Sequence, residues 1–277
     1  MYFLRFPNGL AKALTISYDD GVQQDIKLLE LMEKYGIKGT FNLNSGCFAA
    51  EGTVFPEGRV HRRLTYSQAK DLYKSENCEV AGHGYTHPFL EQMNPDSALW
   101  EVSRDRYELE QLTEKRVNGF AYPFGTYNDD VVNALKISGY KYARTTNATH
   151  GFAVPTDWLR LDPTCHHKDE KLPELTEKFL NSKPDTAPYL FYVWGHSYEF
   201  EGDNNWELIE DFFRKVSGKD DVWYATNGEL YDYIAAFKRL EYSCDCKRVY
   251  NPSAVDVYIG TRDRTVCVPA GQEVCGL

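Results

Sequence analysis

A parallel α/β barrel is the fold this sequence predicts, and three observations predict it. Short runs of apolar and β-branched residues alternate with helix-period segments along most of the chain. The number of strand–helix units is enough to close, or nearly close, a sheet on itself. The 277 residues suit one such unit and can bury a large core.

The elements follow in order. Residues 13–17 read as the first strand, and 22–35 as a helix in which Ile26, Leu29 and Met32 recur at threes before Gly36 stops it. Residues 39–43 form the second strand. The stretch 44–64 is long for a connection and reads as an insertion at a functional face. Thr65 and Gln68 have capping-box spacing for a helix to 74, and 78–81 is a strand. Asn94 and Pro95 supply an N-cap and a first helical residue for a long helix to 114. A strand at 119–122, a helix at 128–138, and strands at 141–144 and 158–161 come next. Helix 172–180, strand 189–194, helix 206–216, strand 222–225 and helix 228–240 complete the series. Residues 255–259 and 265–268 read as a small β appendage. The barrel is therefore expected over 1–240, with 241–277 a short C-terminal β extension packed on it.

Composition narrows the partners. A net charge of -10 disfavours nucleic acid and anionic membrane surfaces, and the only tight basic cluster is His61-Arg62-Arg63. The longest apolar and aromatic run, 189–194, is far short of the roughly 20 residues a spanning helix needs. The opening residues carry no basic stretch followed by an apolar one, so the expected compartment is the cytoplasm. The acidic surface neither requires nor forbids a dimer. Seven cysteines, an odd number without a CxxC pair, exclude a complete disulfide framework. Cys244, Cys246, Cys267 and Cys275 crowd into the end of the chain. They read as reduced thiols, with a zinc site as the sharper alternative.

Four polar clusters fall where strands end: Asp19-Asp20-Gly21, His83 to Pro88, Tyr122-Pro123-Phe124-Gly125, and Gly195-His196. In a parallel barrel the C-terminal strand ends share one face, and the reacting groups gather there. Two imidazoles, His83 and His87, can converge on one ion, and zinc and its relatives accept imidazole with carboxylate. Adjacent Asp19 and Asp20 point in different directions, so one can ligate an ion while its neighbour takes a proton. Against this stands ordinary turn chemistry, in which Asp20 is only a helix N-cap.

The order DDG, HxxxH, PxG and a late His resembles the polysaccharide deacetylase family, carbohydrate esterase family 4 or NodB-like, over residues 10–240. The resemblance implies a distorted (β/α)7 barrel and removal of an acetyl group from a saccharide with the help of one divalent metal ion. Zinc is the first expectation, and cobalt, nickel or iron accept the same ligands. It implies Asp19 as general base, Asp20, His83 and His87 as metal ligands, and His196 as general acid. Phe124 would contribute an oxyanion-binding N–H beside Tyr122, and Trp194 would line the acetyl pocket. The partner so implied is an acetylated saccharide, through an amide or an ester.

Three departures from the family pattern stand out. Gly84 occupies a position that usually holds Ser or Thr. Ala121 stands where an Arg normally pairs with the base, and Arg160, ahead of Arg144, is the expected substitute. The carboxylate that orients the late His is expected at Asp162 or Asp157, with His166 and His167 within reach of the rim. Substrates other than sugars, such as ureide-type amides, fit the same chemistry. Two readings from other classes compete. A non-haem iron oxygenase shares the two-His-one-carboxylate set but usually uses a double-sheet β fold. A saccharide-binding protein without chemistry would have no use for both a base and an acid.

Overall fold

Strand β2 (Lys12–Asp19) is buried along its whole length, as a central parallel strand covered on both faces must be. It pairs on one side with β8 (Tyr189–Gly195) and on the other with β3 (Gly39–Leu43). Outward from β3 lie β4 (Cys78–Gly82), β5 (Gly119–Ala121) and β6 (Tyr142–Arg144), and β7 (Cys165–His166) lies outside β8. Every one of these pairs is parallel. A short β9 (Val222–Tyr224) takes the lower half of β2, below the span paired with β3. This is a computed structural model, and it describes residues 2–261 and 263–277.

The sheet curls until its edges meet through one residue. Leu161 donates to Ala143 and its carbonyl accepts from Thr145, both at 2.9 Å, and the same segment runs on into β7. The result is the expected distorted (β/α)7 barrel. The helices α1 (Gln24–Tyr35), α2 (Tyr66–Leu72), α3 (Pro95–Thr113), α4 (Asp129–Ile137), α5 (Leu172–Asn181), α6 (Tyr198–Gly202), α7 (Trp206–Val216) and α8 (Asn227–Lys238) alternate with the strands. Their caps follow the sequence: Thr65 and Gln68 close a capping box on α2, and Asn94 and Asn128 cap α3 and α4.

The expected strand at 158–161 is mostly absent. Trp158–Arg160 form a 3-10 turn, because the Asp157 side chain accepts from the Leu159 N–H at 3.1 Å and draws the backbone out of an extended path. Only Leu161 keeps a β-bridge. The two-residue β7 and the one-turn α6 are too short to leave a periodic signal.

The appendage is larger than the two expected strands. Strands β10 (Glu241–Tyr242), β11 (Arg248–Tyr250) and β14 (Glu273–Cys275) form one sheet. A second sheet joins β12 (Val257–Gly260) and β13 (Thr265–Val268) to β1 (Phe3–Arg5). A division at residue 240 therefore leaves out a strand from the other end of the chain. Val249, Val257, Ile259 and Val268 bury themselves against Ala236 of α8 and Leu240. All seven cysteines are free. Among the described residues none of them joins a group of candidate metal ligands, and no helix is long and apolar enough to cross a membrane.

Candidate active site

The C-terminal ends of β2, β4, β5 and β8 open on a cavity of about 330 Å³ lined by Asp19, Asp20, His83, His87, Tyr122, Phe124, Trp194 and His196, together with Gly125, Thr146 and Tyr198. The four clusters singled out in the sequence thus meet on one rim.

Asp19 is the last residue of β2, directly across from Asn42 of β3, whose amide donates to its Oδ1 at 2.7 Å. Asp20 has left the strand and holds φ at +87°, an uncommon conformation for a non-glycine residue. That twist sends the two carboxylates apart, as their adjacency suggested. Asp20 Oδ2 lies 3.2 Å from His61 Nε2, and Arg63 donates to the Asp20 carbonyl. The inserted stretch 44–64 thus folds back onto the site, as expected of an insertion at a functional face, and brings His61 and Arg63 to Asp20.

His83 is set by its backbone, whose N–H donates to Leu43 and to the buried Asp105, each at 2.9 Å. Its Nδ1 lies 2.8 Å from the Ala121 carbonyl, which can only accept, so the proton sits on Nδ1 and Nε2 is left as a donor of its lone pair. Burial pushes the His83 ring down to about 4, so it is neutral. Gly84, where relatives carry Ser or Thr, has φ +79°, and a Cβ there would meet Pro123 Cγ at 3.3 Å. The left-handed turn explains the glycine. One ligand atom each from Asp20, His83 and His87 lie within 4.8 Å of one another.

The missing arginine has moved one strand over. In the β5–β6 register Ala121 faces Arg144, and the Arg144 guanidinium, 1% exposed, hydrogen-bonds Asp19 Oδ2 while stacking over the Trp194 ring at 4.2 Å. Burial alone would raise the Asp19 carboxyl, but Arg144, with His83 and His196, outweighs it and holds Asp19 below its ordinary value. Arg160, the preferred substitute, does not reach the site. It is drawn to the surface by Asp157 at 2.9 Å and Asp129 at 2.6 Å. Because 158–160 is a turn rather than a strand, its side chain leaves the barrel.

The carboxylate beside His196 also differs from expectation. Asp162 accepts from Thr145 Oγ1 and from Asn147, and Asp157 caps its own turn, so neither reaches the imidazole. Glu199, three residues after His196 in the first turn of α6, does. Its Oε2 is 3.6 Å from His196 Nδ1, 3.2 Å from His166 Nε2 and 3.0 Å from His167 Nε2. His167 is fully buried under Gly195, where a Cβ would fall 1.9 Å from its Nδ1. His166, His196 and Glu199 also have ligand-group spacing. The Lys168 N–H, however, donates to His166 Nδ1 at 3.1 Å, which fixes the His166 proton on Nε2 as a donor to Glu199. The remaining wall is aromatic. Phe124 (φ +58°) stacks on Phe89 at 3.8 Å and edges His87. The Tyr122 hydroxyl turns away to the Leu159 carbonyl, leaving its ring to the pocket.

Residues 7–143 match the family model described as Polysaccharide deacetylase. Over that span, just under half of its length, the chain is similar to the polysaccharide deacetylase family. Among curated proteins it is similar to YxkH of Bacillus subtilis (strain 168), a candidate polysaccharide deacetylase, at 24% identity over 136 residues. That match takes in 49% of this chain and 45% of the relative, so the chain spans less than half the length of the curated relative. Among solved structures, a candidate polysaccharide deacetylase from Mycobacterium smegmatis aligns with a TM-score of 0.60 at 15% identity, covering 85% of this chain and 94% of its own. The Xyl-CE4 domain of a multidomain xylanase from the hindgut metagenome of Trinervitermes trinervoides aligns at 0.55 with 16% identity, over 84% and 96%. At these identities the two structures establish a shared fold. The polysaccharide deacetylase barrel is the one described above, and its rim is where Asp19, Asp20, His83, His87 and His196 converge.

Proposed function

We propose that this chain is a metal-dependent deacetylase that hydrolyses an acetyl amide or ester on a carbohydrate. The observation that carries the reading is the junction of a buried, cation-paired carboxylate, a three-ligand cluster and a carboxylate-backed imidazole around one small cavity. The ligand cluster fits a divalent ion on its own chemistry. Asp20 Oδ1 is buried and accepts no hydrogen bond, its nearest cation being Arg63 Nη2 at 3.2 Å, and His83 Nε2 is left free by the bond at Nδ1. Asp20, His83 and His87 would hold the ion. When bound there, the ion supplies Lewis-acid activation of a water and of the acyl oxygen.

The chain's own groups account for the proton movements. Asp19, kept ionised by Arg144, takes the proton of the attacking water. His196 Nε2, 3.9 Å from Asp19 Oδ2 across the pocket, gives a proton to the leaving nitrogen or oxygen. An amide nitrogen leaves only as the neutral amine, so the acid is needed most for an N-acetyl substrate. On this reading the Phe124 backbone N–H, carried on a left-handed turn at the cavity wall, stabilises the developing oxyanion. Trp194 and Tyr122 close the space around the acetyl methyl. Arg144 and Glu199 position and charge the two proton carriers without touching substrate.

Acetate release from N-acetylglucosamine oligomers and from acetylated xylan, with and without a chelator, tests the reading. Release that stops with chelator and returns with added metal supports it. Bound metal with no acetate from any sugar would overturn the saccharide assignment and direct the search to non-sugar amides.

A further inference from the structure

The first turn of α1 carries a carboxyl that the reaction above does not use. Asp25 is fully buried, and burial pushes it up to about 7. Its Oδ2 accepts from the Val22 backbone N–H at 3.1 Å and from the Tyr73 hydroxyl at 2.7 Å. Its Oδ1 accepts from Ser197 Oγ at 2.5 Å. Val22 lies two residues beyond Asp20, and the equally buried Ser197 is the neighbour of His196. One side chain therefore grips the two loops that face each other across the cavity. A buried carboxyl is costly even when hydrogen-bonded, and an apolar group of the same size would pack there at lower cost. What an apolar group would not do is join the two loops.

We propose that Asp25 is a positioning residue that ties the end of β2 bearing Asp19, with Asp20 in the turn beyond it, to the loop bearing His196, and so sets the separation of base and acid. The inference rests on the assignment of Asp19 and His196 under the proposed function. Asp25 touches no reacting atom; it acts through Val22 and Ser197. The neighbouring residue Gln24 reinforces the same junction, its amide donating to Val60 at 2.6 Å and to Glu201 of α6 at 2.8 Å.

The three bonds to Asp25 provide their own control. Ser197→Ala removes the bond to the acid loop, whereas Tyr73→Phe removes a bond to the same carboxyl from the C-cap residue of α2, a helix that carries no group of the site. Acetate release from N-acetylglucosamine oligomers is measured alongside Tm for both. Ser197→Ala is expected to lower kcat about 10-fold or more with little change in KM. Tyr73→Phe is expected to lower Tm and leave kcat unchanged. Asp25→Asn should recover much of the activity that Asp25→Ala loses, because the serine hydroxyl can accept from an amide as well as donate to a carboxylate. The imidazole NMR signals of His196 read the same contact without turnover, and they should move in Ser197→Ala while those of His83 stay. Equal kcat in the Ser197 and Tyr73 variants, or unmoved His196 signals, overturns the proposal. His196→Ala separates the two failures. If it abolishes turnover while Ser197→Ala keeps full kcat, the role of Asp25 alone falls. If it retains turnover, the acid assignment falls and takes the proposal with it.

Discussion

Arg144 and Asp19 form an ion pair with side chains only 1% and 2% exposed, between the end of one barrel strand and a strand four places away in the sheet order. The guanidinium is planar and always charged, and its face rests on Trp194, so it reaches Asp19 from a fixed direction. The pair restores, from β6, the contact that Ala121 on β5 cannot make.

Arg144→Leu should therefore be severe. Removing one partner of a buried pair leaves an uncompensated charge, at a cost of about 3–5 kcal/mol. Asp19 is held below its ordinary 3.8, so the stability it contributes is present above that value and is lost as pH falls through the folded-state value. Urea unfolding at pH 7 and below pH 4 should show the difference between wild type and variant shrinking in acid. Arg160→Ala, on exposed pairs with Asp157 and Asp129, should cost less than about 1 kcal/mol and leave turnover intact. Equal penalties for the two arginines would refute the assignment of Arg144 to the base.

Adjacent aspartates with different partners should separate in experiment. Asp19→Asn is expected to retain stoichiometric divalent metal, measured by calorimetry, while turnover falls by about 10²–10⁴. Asp20→Asn is expected to lose both, because it removes one of three ligands. Metal loss in the Asp19 variant with retention in the Asp20 variant would reverse the two roles.

Much of this architecture was legible because burial and chemistry leave patterns in the sequence. The buried β2 is legible from Ala13, Leu14 and Ile16 with the β-branched Thr15, although Lys12, Ser17 and Asp19 are polar, and the strand-end clusters announce the rim. The long-range partners were legible only in part, Arg144 as a second choice behind Arg160. Arg144 and Ala121 are equivalent only through β-register, a property of pairing rather than of spacing. Arg160 was misplaced because an apolar run, Trp158 to Leu161, resembles a strand until the Asp157 cap turns it. Glu199 did leave a signal, three residues after His196 at a helix start, where a carboxylate and the preceding turn approach one another. The expectation of a distant aspartate, taken over from relatives, obscured it. His61 and Arg63, from the one tight basic cluster in the sequence, both fold back to 3.2 Å from Asp20, a contact that spacing along the chain does not reveal.

Gly195 offers a test of how tightly this part of the site is packed. A Cβ at that position would overlap the buried His167 ring, whose Nδ1 would lie 1.9 Å away. The ring is stacked on Phe200 at 4.3 Å and packed beside Tyr18, so it has little room to retreat. Gly195→Ala should cost about 1–3 kcal/mol in chemical denaturation. It should also disturb Glu199 through His167, and a double variant with His167→Ala should recover part of the loss. Additive penalties in the double variant would mean that the methyl group meets something other than this ring.

The charge on His196 is the property most directly set by a neighbour that relatives do not predict. Burial by itself would lower this imidazole, but Glu199 at 3.6 Å from Nδ1, with Asp19 and Asp20 opposite, outweighs it and holds His196 above the ordinary 6.5. Glu199 can do this because it is ionised. Burial opposes its charge, yet the three imidazoles around it hold the carboxyl well below the usual range. A raised histidine contributes stability that is fully present below pH 6.5 and lost as pH rises through the folded-state value. A general acid follows the same direction, active while protonated and lost on the alkaline side. Glu199→Gln keeps the side-chain shape and removes the charge. The alkaline limb of kcat should then move to lower pH, and the His196 imidazole signals should titrate earlier by the same amount. The stability advantage of wild type over this variant should be largest near pH 6 and should shrink toward pH 9. A limb that shifts without a matching change in the His196 titration would mean that another group is the acid, because Glu199 acts on the reaction only through the proton it helps His196 to hold.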